Sequence, residues 1–249
     1  MVMPDLLQLG PWPVLVATVC IGAAAGVVRG VTGFGAAMVM APPLALMLGP
    51  SATVPLVLLL EGFAAAPMIR QASTQVRWPV MLPIMAAAAA CIPVGTMLLS
   101  DVDAALMRRL TALVVLGFSL VLLSGLRWQG TFRTGTGLAL GSLSGAMLGA
   151  TSVGGPPVVL YLLSGPDSAA VTRANLTVYV AASSVFGLAA LAWRGMVAPE
   201  VLALGLCIAP LFSFGVVMGA RIFHRLSEQR FRRLTIVLMM VVSAYVLAA

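Results

Sequence analysis

The chain has 249 residues, 61% of them hydrophobic and only 8% charged, with a mean hydropathy of +1.10. A soluble domain carries roughly 25% charged residues, so these values exclude a water-soluble enzyme and a disordered chain alike. The formal charge is +7 and all 14 basic residues are arginine, set mostly between apolar runs rather than in a patch. This is the positive-inside pattern of a membrane protein and not the footprint of a nucleic-acid binder.

Ten apolar segments follow in chain order, at 12–29, 34–49, 51–69, 79–99, 107–125, 135–151, 154–164, 170–193, 199–219 and 231–249. Continuous runs of this kind predict membrane helices rather than the alternating strands of a barrel. The expected fold is therefore all-α, a polytopic helical membrane protein. A crossing needs about 20 residues, and 34–49 and 154–164 fall short of it. Both short segments follow glycine-rich stretches and both carry a Pro-Pro pair, so each is expected to be broken or re-entrant. Trp12, Trp78, Trp128 and Trp193 stand at segment ends, where an interfacial belt puts them. Cys20, Cys91 and Cys207 lie far apart within apolar runs; they form no metal or redox spacing and are expected to be small buried hydrophobes. Only Asp5 and no basic stretch precedes the first run, so no cleaved signal peptide is expected.

The chain repeats itself. Arg108-Arg109-Leu110-Thr111 recurs as Arg232-Arg233-Leu234-Thr235, and Gly26 and Gly30 recur in spacing as Gly145 and Gly149. Gly49-Pro50-Ser51 matches Gly165-Pro166-Asp167. These landmarks divide the chain into an N-terminal repeat at 1–126, a cytoplasmic linker at 127–134 and a C-terminal repeat at 135–249. Five segments per half is an odd number, which forces the halves into opposite orientations. The inverted arrangement puts ten arginines inside (70, 77, 127, 133, 173, 221, 225, 230, 232 and 233) and three outside (108, 109 and 194). A parallel arrangement, with four crossings per half, splits them eight to five and places Arg77 and Arg173 on opposite sides. The positive-inside rule favours the inverted arrangement, with both termini periplasmic.

Two motifs could carry chemistry. The first is Gly30-Val31-Thr32-Gly33-Phe34-Gly35, followed by Pro42-Pro43; the second is Gly149-Ala150-Thr151-Ser152-Val153-Gly154-Gly155-Pro156-Pro157. Glycine permits unwound backbone, and proline opens a helix without leaving an orphan amide. Paired interruptions at matching positions of inverted repeats point to a transport site. Helix packing through small residues is the competing explanation. Helix N-termini favour anions. Thr32, Thr151 and Ser152 could add hydroxyls, and Arg29, Arg173 and Asn175 could add charge and amide donors. An arginine at membrane depth is costly unless paired, as is Glu61 in the third segment. The two therefore have reason to meet, and Glu61 is a candidate proton-coupling group. His224 is the only histidine. No histidine-based metal or catalytic cluster is possible, and no cofactor is expected.

On the paired glycine motifs, the duplicated halves and the Arg-Arg stretch before each final segment, the chain resembles the TauE/SafE family of sulfite and organosulfonate exporters. The resemblance covers nearly the whole chain. It implies a bacterial inner-membrane permease for small sulfur-containing anions, lying in the lipid bilayer; the expected function is a secondary transporter working by alternating access. The substrate-binding residues expected from the two motifs and the charged and hydroxyl groups beside them are Arg29, Thr32, Gly33, Phe34, Gly35, Thr151, Ser152, Gly154, Gly155, Pro156, Arg173 and Asn175. An anion channel, or an importer of the same anions, is the alternative. An intramembrane enzyme is disfavoured, since no G-x-S-x-G elbow or H-E-x-x-H helix occurs.

Overall fold

The computed structural model describes residues 11–124, 132–163, 165–223 and 228–248. Asp5, Trp128, His224, Arg225 and most of the linker, including Arg127, lie outside them. Ten helices and no strand occur among the described residues. They are α1 (Trp12–Thr32), α2 (Ala36–Leu48), α3 (Pro50–Ala72, its last turns beginning with the 3₁₀ turn Ala66–Met68), α4 (Trp78–Asp101) and α5 (Ala104–Ser124). The second set is α6 (Thr134–Thr151), α7 (Gly155–Leu163), α8 (Ala169–Trp193), α9 (Pro199–Phe223) and α10 (Glu228–Ala248).

Each helix matches one apolar segment, and prolines mark many of the starts. Pro13, Pro50 and Pro79 open α1, α3 and α4 in the first turn, where a missing amide hydrogen has no consequence. Six helices (α1, α3, α4, α5, α8 and α9) are long and apolar enough to cross a membrane. The chain is a multi-pass membrane protein. The helices α2 and α7 have 13 and 9 residues. At about 1.5 Å per residue they reach only about 20 and 14 Å, against a hydrocarbon core of about 30 Å.

Two glycine seams bind the bundle. The helix α1 packs along α9, and a methyl group on Gly26 or Gly30 would run into the backbone carbonyls of Phe212 or Val216. In the same way α6 packs along α4, with Gly141, Gly145 and Gly149 against the carbonyls of Ile84, Ala88 and Ile92. The small-xxx-small spacings of both motifs are thus spent on close helix packing, which needs the absence of a side chain. Between the seams α3 and α8 cross, Gly62 lying against Ser184, while α5 pairs with α10.

Ion pairs tie α4 to α8 at both ends. Arg77 Nη1 lies 2.7 Å from Asp167 Oδ1, just before α8 begins, and its backbone N–H donates to Asn175 Oδ1 at 2.9 Å. At the other end Arg194 Nη2 lies 3.0 Å from Asp101 Oδ1. The two helices therefore run in the same direction, and Arg77 and the Arg173 turn of α8 share one end of the bundle. Trp78 and Trp193 are exposed at opposite ends of this pair, as an interfacial belt requires, and Trp12 is exposed at the start of α1. The cysteines depart from expectation. Cys20 and Cys207 are exposed and Cys91 is half-buried. In a membrane helix the outward face is also apolar, so an apolar neighbourhood in sequence does not imply burial.

Candidate functional site

The two glycine motifs break their helices in corresponding ways. At the end of α1, Gly33 is left-handed (φ 79°), and Gly35 (φ 89°) caps the start of α2. At the end of α6, Ser152 takes the left-handed position with φ 62°, the only non-glycine residue to do so among those described. In both breaks the threonine one residue earlier ties the turn. Thr32 Oγ1 lies 2.8 Å from the Val28 carbonyl and accepts from the Phe34 N–H at 3.4 Å; Thr151 Oγ1 donates to the Met147 carbonyl at 2.8 Å and accepts from the Val153 N–H at 3.2 Å. Thr32 and Thr151 hold backbone, and neither lines the cleft described next.

Both breaks open onto one partly enclosed cleft. Among the residues expected at the site, Arg29, Phe34, Gly35, Glu61, Ser152, Gly155 and Pro156 line it. Gly33 and Gly154 shape the turns. A Cβ on Gly154 would strike Leu148 and the Ser144 carbonyl, so only glycine fits there.

At the centre of the wall, Arg29 and Glu61 form a buried ion pair. The second oxygen of Glu61 accepts from the backbone N–H of Ala37 at 3.2 Å. Ala37 is in the first turn of α2, where amides have no partner within the helix and the helix dipole favours an anion. The Glu61 carboxylate thus sits between a guanidinium and a helix start. The α7 start is poorer in donors, because Pro156 and Pro157 have no N–H. The two breaks are therefore chemically unequal, although sequence spacing makes them look alike.

Two expected residues lie elsewhere. Arg173 is on an exposed face of α8; its Nε is 3.5 Å from where a Cβ on Gly33 would stand, behind the turn and outside the cleft lining. Asn175 is buried, but its carbonyl oxygen is turned to the start of α4, where the Arg77 N–H needs an acceptor. Sequence reasoning missed the α8 wall. Tyr179, Ser183 and Ser184 line the cleft and are buried. Ser144 Oγ donates to the Gly154 carbonyl and lies 2.5 Å from Tyr179 OH, so the tyrosine is the donor of that second bond. The pair buttresses the second break. A polar stripe at i, i+4 and i+5 in an apolar span was the available clue.

A sequence model of the family described as sulfite exporter TauE/SafE matches residues 18–246. No curated protein and no solved structure gives a significant match. The match spans both glycine breaks, Arg29, Glu61 and the whole α8 wall, and the chain belongs to the TauE/SafE family of sulfite exporters, a transporter family.

Proposed function

We propose that this protein is a secondary transporter, working as an exporter, that carries small sulfur oxyanions such as sulfite or organosulfonates through the cleft by alternating access. One observation carries the reading: an oxyanion, the chain's own Glu61 carboxylate, is held in the cleft by Arg29 and the first turn of α2. A sulfur oxyanion presents the same acceptor oxygens to the same donors. The seat is at the end of a broken helix, the place where transporters built from paired repeats expose backbone to substrate.

The inverted arrangement of two halves, 1–126 and 135–249, is part of the proposal. It is supported by the parallel run of α4 and α8. The helices α3 and α4 are consecutive spans joined by a short loop, so α8, the counterpart of α3, is opposed to it. Correspondence of the α1–α9 and α4–α6 seams supports it too. So does the shared end of Arg77 and Arg173, which a parallel repeat would separate. The residues proposed to contact substrate are Arg29, Gly35, Gly155 and the α2 amides, with Ser184 opposite. The protein sits in the bacterial inner membrane with both termini periplasmic.

Counterflow in proteoliposomes tests the proposal. Unlabelled sulfite or sulfoacetate inside should accelerate uptake of the labelled anion, which a channel does not do. Arg29→Gln should abolish it. Transport without counterflow would replace the carrier with a channel.

A further inference from the structure

The charge count in the cleft sets what it can take. Among the described residues lining it, Arg29 and Glu61 are the only charged groups, and they cancel. The elements facing Glu61 are α1 with Arg29, α2 with the Ala37 N–H, and α8 with Tyr179, Ser183 and Ser184. Tyr179 spends its proton on Ser144. The rest of the lining, from α3, α6 and α7, is apolar apart from Ser152 at the end of α6, whose hydroxyl donates to the Thr151 carbonyl.

We propose that the cleft selects a monovalent anion over a divalent one and takes it up together with one proton on Glu61. This rests on the cleft being the anion site. Glu61 occupies the oxyanion seat, so an incoming anion must displace it. A displaced, ionised Glu61 would leave two negative charges against one guanidinium in an apolar cavity, which is strongly disfavoured. Protonating Glu61 removes that conflict: its carboxylate gains a proton, Arg29 is released, and one monoanion restores neutrality. A dianion leaves an uncompensated charge, because no second cation lines the cleft among the described residues. A zwitterion needs no proton, because its anionic end can take Arg29 while its ammonium faces the displaced, ionised Glu61 carboxylate. For sulfite, the singly charged form is the one accepted.

Methanesulfonate is the appropriate probe, since it stays singly charged from pH 5 to 8 and any pH dependence then belongs to the protein. Calorimetric titration of the purified protein should show affinity rising about tenfold per unit fall in pH wherever Glu61 is ionised in the empty protein. Titration in two buffers of different ionisation enthalpy should show about one proton taken up per anion, and this needs no variant. Glu61→Gln should bind methanesulfonate with a flat pH profile and no proton uptake. Sulfate should bind at least about tenfold more weakly than methanesulfonate. Methanesulfonate binding that is independent of pH and proton-free overturns the proton linkage, and sulfate binding as tight as methanesulfonate overturns the charge selection; either leaves the anion site standing. If none of these anions nor sulfite binds, or if Arg29→Gln leaves binding unchanged, the assignment of the site falls and the proposal with it.

Discussion

Replacing Gly30 by alanine separates packing from substrate contact in the first glycine motif. A methyl group at this position would lie 2.8 Å from the backbone nitrogen of Ala220 and 2.9 Å from Cα of Gly219, and nearer still to the Val216 carbonyl oxygen. Ordinary contact begins at 3.4 Å and the carbonyl contact falls more than 1 Å short of it, so α1 and α9 must move apart by about an ångström. A gap of that size forfeits roughly half of the dispersion energy of each contact it opens. The obstacles are backbone atoms of a neighbouring helix, which no rotamer change can move. The expected destabilisation is at the upper end for overpacking, about 2–3 kcal/mol, or about 4–12 °C in melting temperature for a chain of this size. Gly117, on α5, has nothing within 4 Å of where a methyl group would stand and serves as the control. Gly117→Ala should be neutral or stabilising by up to about 1 kcal/mol, since alanine is the better helix former. Thermal unfolding of both variants in detergent, followed by tryptophan fluorescence, measures the difference. A Gly30→Ala protein that melts with the wild type would refute the tight-seam argument.

Other outcomes follow from the site and the bundle ends. Glu61→Ala should cost about 3–5 kcal/mol by stranding Arg29, whereas the double change Arg29→Met with Glu61→Leu should restore much of that stability yet bind no anion, as thermal shift with and without sulfite would show. Gly33→Leu and Gly154→Leu should insert but fail in counterflow. The first forces a left-handed leucine at about 1–2 kcal/mol, and the second drives a side chain into Leu148 and Ser144. In a cysteine-free background, Gln75→Cys should react with an impermeant maleimide only from the cytoplasmic side and Asp103→Cys only from the periplasmic side. Both are exposed, and they lie near opposite ends of α4. Labelling of both from one side would sink the proposed topology.

The number and approximate limits of the helices were legible in the sequence because the bilayer demands long apolar runs, and such runs have few alternatives. The segment at 170–193 became Ala169–Trp193 and that at 79–99 became Trp78–Asp101, each end marked by a tryptophan or a polar turn. The helix breaks were legible too, since left-handed backbone and proline-opened helices require particular residues. The meeting of Arg29 with Glu61 followed from the penalty on lone charges in lipid, which leaves two nearby opposite charges little choice.

What the residues could not reveal is which partner each polar group takes, because that depends on helix rotation and crossing. Thr32 and Thr151 look like ligands in sequence, yet their turns bring backbone groups closer than any substrate. Arg173 and Asn175 are two residues apart on α8 and face different neighbours, one exposed beside the Gly33 turn and the other buried against the start of α4. Tyr179, Ser183 and Ser184 reach the cleft only because α8 crosses α3 with that face inward. The two breaks, so alike as strings, differ in donor supply once their helix starts are in place. Glu61 sits on the first turn of α2 because the α3–α2 packing puts it there. Local sequence sets where backbone must bend and where charge must be paired, while the packing angle of one helix on another decides what those bends and charges enclose.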